Sequence, residues 1–106
     1  MRQIERDMNR AIRFRKNMSK QNTSVRCYRE EIEVRLHGNL IGTVDTASNQ
    51  LRIFDGGWQS NTTKSRLNAL MDEFAPAMGV FQKNWEWFVS DRLTGQVVPF
   101  ISGMTV

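Results

Sequence analysis

The sequence predicts an α+β domain, two helices packed on an antiparallel sheet in the order α-β-β-β-α-β-β. Three observations carry that prediction. Apolar residues recur at helical spacing in two separated stretches, near 4–18 and 62–75. Apolar and polar residues alternate strictly at 31–37. Glycine, asparagine and aspartate cluster at 38–39, 47–50 and 55–57, where the chain must turn.

The first helix is read from "IERDMNRAIRFRKNM". Ile4, Met8, Ala11 and Ile12 form an apolar stripe, with Phe14 and Met18 near the same side. At about 100° per residue, Arg2, Arg6, Arg10, Arg13 and Lys16 gather opposite that stripe. Arg15 interrupts the apolar face, and a snorkelling side chain accounts for it. Residues 19–24, "SKQNTS", are poor helix formers and end the element.

"SVRCY" then reads as an edge strand. "EIEVRLH" follows, with Ile32, Val34 and Leu36 on one face and Glu33, Arg35 and His37 on the other. Gly38 and Asn39 suit a two-residue hairpin turn into "LIGTVD". "ASNQ" is the next turn, "LRIF" the next strand, and Asp55, Gly56 and Gly57 stop it. Asn61 or Thr62 caps the second helix. Its core positions are Leu67, Leu70, Met71 and Phe74, and Pro76 and Gly79 end it. "GVFQKNWEWFV" predicts a hairpin turning near Lys83 and Asn84, with Val80, Trp85, Trp87 and Val89 sharing one face. Residues 93–106 carry apolar side chains without a period, so they are expected as a tail to a single domain over 1–92.

The 106 residues carry a net charge of +4. Residues 1–20 hold seven of the fifteen basic side chains and two of the eleven acids, a local +5; the remainder sums to −1. Concentrated positive charge favours an anionic partner: nucleic acid, an acidic protein face or a membrane surface. Solubility alone is the plainer explanation. No apolar run approaches the roughly 18 residues of a membrane span, and the charged start of the chain does not read as a signal peptide. The single cysteine, Cys27, cannot form an internal disulfide, which fits a reducing cytoplasm.

The residue inventory is poor in catalytic chemistry. One histidine, His37, and one cysteine argue against a structural zinc site, and no metal or cofactor is expected. Cys27 reads as a small buried hydrophobe and His37 as a solvated strand residue. There is no phosphate-binding P-loop and no dinucleotide fingerprint. Asp45 and Asp55 lie at strand ends, where turn formation explains them as well as catalysis does. A non-enzymatic role is expected.

Two segments suit nucleic acid. The helix start "SNTTKSR" offers Thr62, Thr63, Lys64 and Arg66 to a phosphate, beside the basic first helix. The same residues also make an ordinary cap and solvated face. Trp58 upstream, and Trp85 and Trp87 in "NWEWF", are candidates for base stacking or for a partner surface; burial in the core is the alternative. The α-β-β-β-α order resembles that of a double-stranded RNA-binding domain. The expected Lys-Lys helix start is here Thr63-Lys64, and a further hairpin follows, so the likeness is one of topology.

"LHGNLI", "FDGGWQSNTTKSRLNAL" and "GVFQKNWEWFV", together with the opening "MNRAIRFRKNMSKQNTSV", resemble a family of small bacteriophage proteins over roughly residues 8–89. The resemblance implies phage origin and action in the cytoplasm of a bacterial host. Three roles are then expected in order. The first is non-catalytic nucleic-acid binding through Arg2, Arg6, Arg10, Arg13, Lys16 and the second helix start. The second is inhibition of a host or bacterial defence complex through a protein interface. The third is a self-assembling structural or virion-associated role.

Overall fold

A computed structural model describes residues 1–106. The first helix, Gln3–Arg13 (α1), is shorter than its apolar period suggests. Phe14 caps its C-terminus and Arg15 adopts φ 53°. The Lys16 N–H then donates to the Ala11 carbonyl (2.9 Å) and the Arg15 N–H to the Ile12 carbonyl (3.1 Å). That paired closure is the Schellman arrangement, here built on an arginine rather than a glycine. It leaves Phe14 exposed and frees 18–20 to become a strand. The Arg15 guanidinium donates to the Thr46 carbonyl at 2.9 Å instead of lying along an apolar face.

Five strands follow: Met18–Lys20 (β1), Thr23–Cys27 (β2), Glu31–Leu36 (β3), Asn39–Asp45 (β4) and Leu51–Ile53 (β5). The expected run of three or four strands, and the RNA-binding-domain order built on three, therefore do not hold between the helices. Each strand is antiparallel to the next. The alternation read at 31–36 is realised, with Ile32, Val34 and Leu36 buried. The β3–β4 turn is His37–Gly38, one residue earlier than expected; both residues have positive φ, 51° and 79°, as a type I′ turn requires.

The second helix, Asn61–Phe74 (α2), is capped by Ser60, one residue before the expected caps. The Ser60 hydroxyl accepts the Thr63 N–H at 3.1 Å. Leu67, Leu70 and Met71 are fully buried against the sheet. Gly42 in β4 permits that approach: a β-carbon there would stand 2.9 Å from Leu70 Cδ1.

Met78–Lys83 (β6) and Glu86–Asp91 (β7) form the predicted hairpin, turning at Asn84–Trp85. The expected tail is structural. Val97–Pro99 (β8) pairs with β7, and Met104–Thr105 (β9) pairs with β5. The chain thus makes two antiparallel sheets, ordered β1-β2-β3-β4-β5-β9 and β6-β7-β8, and its last residues tie them together. The division at residue 92 is not present. Strands of two and three residues are too short to show a period in sequence.

The two helices lie parallel and side by side on the large sheet. Glu5 meets Ser65, Asn9 meets the Ala69 carbonyl, and Arg13 meets Glu73, at a constant offset in sequence. The first contact is part of a buried network. Arg66 Nη1 donates to Glu5 Oε2 at 2.8 Å, its Nε to Thr23 Oγ1 at 3.0 Å, and its Nη2 to Asn22 Oδ1 at 3.2 Å. The Ser65 hydroxyl reaches the same carboxylate oxygen at 2.6 Å, and the Arg2 N–H donates to the other at 3.0 Å.

Burial alone would raise the Glu5 pKa, but the Ser65, Arg2 and Arg66 hydrogen bonds outweigh it and hold the carboxyl below its usual 4.5. A carboxylate depressed in the folded state contributes its full stability above pH 4.5 and loses it as pH falls through the lower folded value. Glu5→Ala should therefore cost about 3–5 kcal/mol at neutral pH. In chemical denaturation across pH, the gap between wild type and variant should narrow below the normal glutamate range; a gap independent of pH would contradict an ionised Glu5.

Candidate nucleic-acid interface

The exposed side of α1 is cationic because its buried side is filled. Met8, Ala11 and Ile12 face the sheet and Glu5 and Asn9 face α2, which leaves Arg6, Arg10 and Arg13 outward at helical spacing. The Schellman turn then brings Lys16 beside this face, and Lys20 of β1 closes it. Arg13 is held by Glu73 at 2.7 Å and Lys20 by Asp7 at 3.1 Å. The Lys20 hydrogen bond, then that of Gln3, lowers the Asp7 pKa. Arg2, Arg6, Arg10 and Lys16 are exposed and form no ion pair. Phe14, 65% exposed, sits within a shallow groove of about 390 Å³ between Arg10, Lys16 and Lys20.

The start of α2 corrects the sequence reading at two residues. Thr63 is buried, its N–H held by Ser60 and its hydroxyl donating to the Trp58 carbonyl at 3.2 Å. Arg66 is 2% exposed and fully engaged by Glu5, Thr23 and Asn22, so it cannot reach a phosphate. Helical periodicity turns residues 63, 66, 67 and 70 to one side, and the partner acid for Arg66 is supplied from the first helix. Thr62 stays partly accessible. Lys64 is half-buried, donating to Gln82 Oε1 at 3.1 Å with its ammonium 5.9 Å from the Trp87 ring centre.

The tryptophans divide. Trp87 is buried and meets Phe100 edge-on at 5.5 Å, so it is a core residue. Trp85 does not share its face: it occupies the hairpin turn with φ 67° and is 90% exposed. Trp58 is 75% exposed on the loop that enters α2. That loop is shaped by Asp55, whose carboxylate accepts the Gly57 N–H at 2.8 Å, and by Gly56 at φ 70°. A β-carbon at Gly56 would stand 3.2 Å from Asn39 Cβ. Between this loop, the His37–Gly38 turn and the α2 start lies a cleft of about 410 Å³, lined by His37, Asn39, Asp55, Trp58 and Thr62 among others.

Asp45 accepts the Ala47 and Ser48 N–H groups at 2.9 Å, which lowers its pKa and shapes a turn. Cys27 is half-buried, and burial pushes its thiol pKa up although Arg15 opposes this. No three His, Cys, Asp or Glu side chains converge. No helix is long and apolar enough to cross a membrane.

The family model described as "Kyanoviridae Gp96 protein" matches residues 1–106. The chain belongs to the Kyanoviridae Gp96 family. This is a phage protein family, and the match spans the C-terminal residues that the sequence resemblance did not reach. No curated protein and no solved structure gave a match.

The exposure of the aromatic residues in this Gp96 family member is directly measurable. Of single-tryptophan variants made with phenylalanine at the other two positions, those keeping Trp58 or Trp85 should be quenched readily by acrylamide. The one keeping Trp87 should be blue-shifted and resist quenching. Equal quenching of all three would contradict the burial of Trp87.

Proposed function

We propose that this protein is a non-catalytic nucleic-acid-binding protein of the infecting phage, acting in the cytoplasm of the bacterial host. The observation that carries the reading is the outer face of α1. Arg6, Arg10 and Lys16 are exposed there and form no salt bridge, although Arg10 lies near enough to help lower the Asp7 pKa after Lys20 and Gln3; they stand next to Arg13 and Lys20, whose charges are shared with Glu73 and Asp7. Arg2 extends the face at the helix start, and Thr62 and Lys64 remain as secondary contacts. Cations displayed together on and beside a helix neutralise phosphates and release counterions, so affinity should fall steeply with salt.

Arg6→Ala and Arg10→Ala should each reduce the slope of log K against log salt by about 1 on duplex DNA. Arg13→Ala should do less, since its charge is already shared. Absence of salt-sensitive binding to either duplex or single strands in a gel shift would remove the reading.

A protein-directed inhibitor of a host or defence complex is the second reading. Exposed Phe14 inside the basic groove, and exposed Leu93, Val97 and Ile101, favour it. Under the first reading, nuclease treatment of host lysate should empty a pull-down of its co-purifying material. A stoichiometric host protein retained after nuclease supports the second instead.

A further inference from the structure

We infer that the end of the molecule carrying Trp58 and Trp85 captures unpaired bases, so that this protein selects single-stranded nucleic acid, or duplex with a single-stranded extension, over blunt duplex. The inference rests on the nucleic-acid reading above and adds to it a second contact surface with its own specificity.

The topology brings the two tryptophans to one end. Strand β6 runs antiparallel to α2: the Asn68 side chain exchanges hydrogen bonds with Val80, at 2.8 and 3.0 Å, and Lys64 donates to Gln82 at 3.1 Å. Two strand residues advance about 6.6 Å and four helical residues about 6 Å, so the two elements keep pace. Continued to the turn, this register sets Asn84–Trp85 level with the start of α2. Trp58 is held at that same start by the Thr63 hydroxyl. The parallel helix register brings Arg2 there as well.

Trp85 is placed at a conformational cost. The second position of a type I′ turn favours glycine, and Asn84–Trp85 has φ 52° and 67°. A bulky residue in the left-handed region is strained. The ring is 90% exposed, so intramolecular packing does not offset that strain. Backbone strain of this kind clusters at functional sites.

The surroundings favour a nucleic-acid strand over a protein. Lys83 lies two residues before Trp85, Lys64 (bonded to Gln82) and Arg2 lie at the same end, and the acids nearest the two rings in sequence are Asp55 and Glu86. Neither tryptophan has exposed apolar neighbours in sequence: Asn84 and Glu86 bracket one, Gly57 and Gln59 the other. Separated rings among polar groups suit stacking on planar bases rather than a desolvated protein hot spot. The cleft beside Trp58 has a volume within the range of small-ligand sites, and Asn39, His37 and Thr62 supply polar groups at its wall.

The test uses the full chain and three labelled probes, in DNA and RNA forms: a single strand, the blunt duplex, and the duplex with a single-stranded extension. Wild type should bind the first and third more tightly than the second, with tryptophan quenching. Trp58→Ala and Trp85→Gly should each weaken those two probes by about 5- to 150-fold, with little effect on blunt duplex. Trp85→Gly should melt at or above the wild-type temperature, which separates lost contact from lost fold. Arg6→Ala and Arg10→Ala should weaken all three probes alike.

Equal wild-type affinity for all probes, or unchanged binding by both tryptophan variants, overturns this inference and leaves the α1 interface standing. Loss in the tryptophan variants without any effect of the α1 variants supports it while removing α1. Failure to bind any probe overturns both.

Discussion

The Glu5–Arg66 pair holds this fold together. Both side chains are almost completely buried, and between them they join three elements that are distant in sequence: the first turn of α1, the first half of α2 and the β1–β2 turn. A buried ion pair is not strongly stabilising in itself, because desolvation opposes the Coulombic gain. Its value here lies in register. Arg66 has several fixed acceptors, and Glu5 has donors on both oxygens, so a slip of either helix by one turn would leave a buried charge unpaired.

That pair also suits an otherwise unfavourable arrangement. Two parallel helices side by side bring like ends of their dipoles together. Glu5 lies in the first turn of α1 and against the first half of α2, where a negative charge is favoured by both helices. Further along, Asn9 donates to the Ala69 carbonyl but its own Oδ1 has no partner, a deficit of about 1–3 kcal/mol. Polar contacts along a helix–helix seam thus hold orientation at the expense of stability. On the opposite side of α1, Arg6, Arg10 and Arg13 are exposed, with Asp7 among them bonded to Lys20.

The two type I′ turns make an instructive contrast. His37–Gly38 places glycine where the left-handed backbone needs it, and the turn is open around that residue. Asn84–Trp85 places a large aromatic ring in the equivalent position. The backbone geometry is shared, and the side chains differ in what they offer to solvent. The last residues of the chain contribute to the same economy: Phe100 meets Trp87 edge-on, and the Ser102 hydroxyl accepts the Asp55 N–H at 3.1 Å, steadying the loop that carries Trp58.

Much of this is legible in the sequence. Helical spacing marked both helices, strict alternation marked β3, and arginines spaced three and four apart marked an outward cationic face. These are local properties, determined by residues a turn or a pleat apart, and an isolated sequence records their pattern, though not where each element ends. What it could not record is which polar residues are consumed internally. Arg66 and Thr63 look like surface residues at a helix start, and only the arrival of Glu5 from 61 positions away and the fold of the Trp58 loop remove them. Trp85 and Trp87 stand two apart, as neighbours on one strand face would. A two-residue turn beginning at Asn84 sends one to solvent and the other into the core. Partner choice for a charge or a ring depends on long-range packing, and long-range packing is a property of the tertiary structure alone.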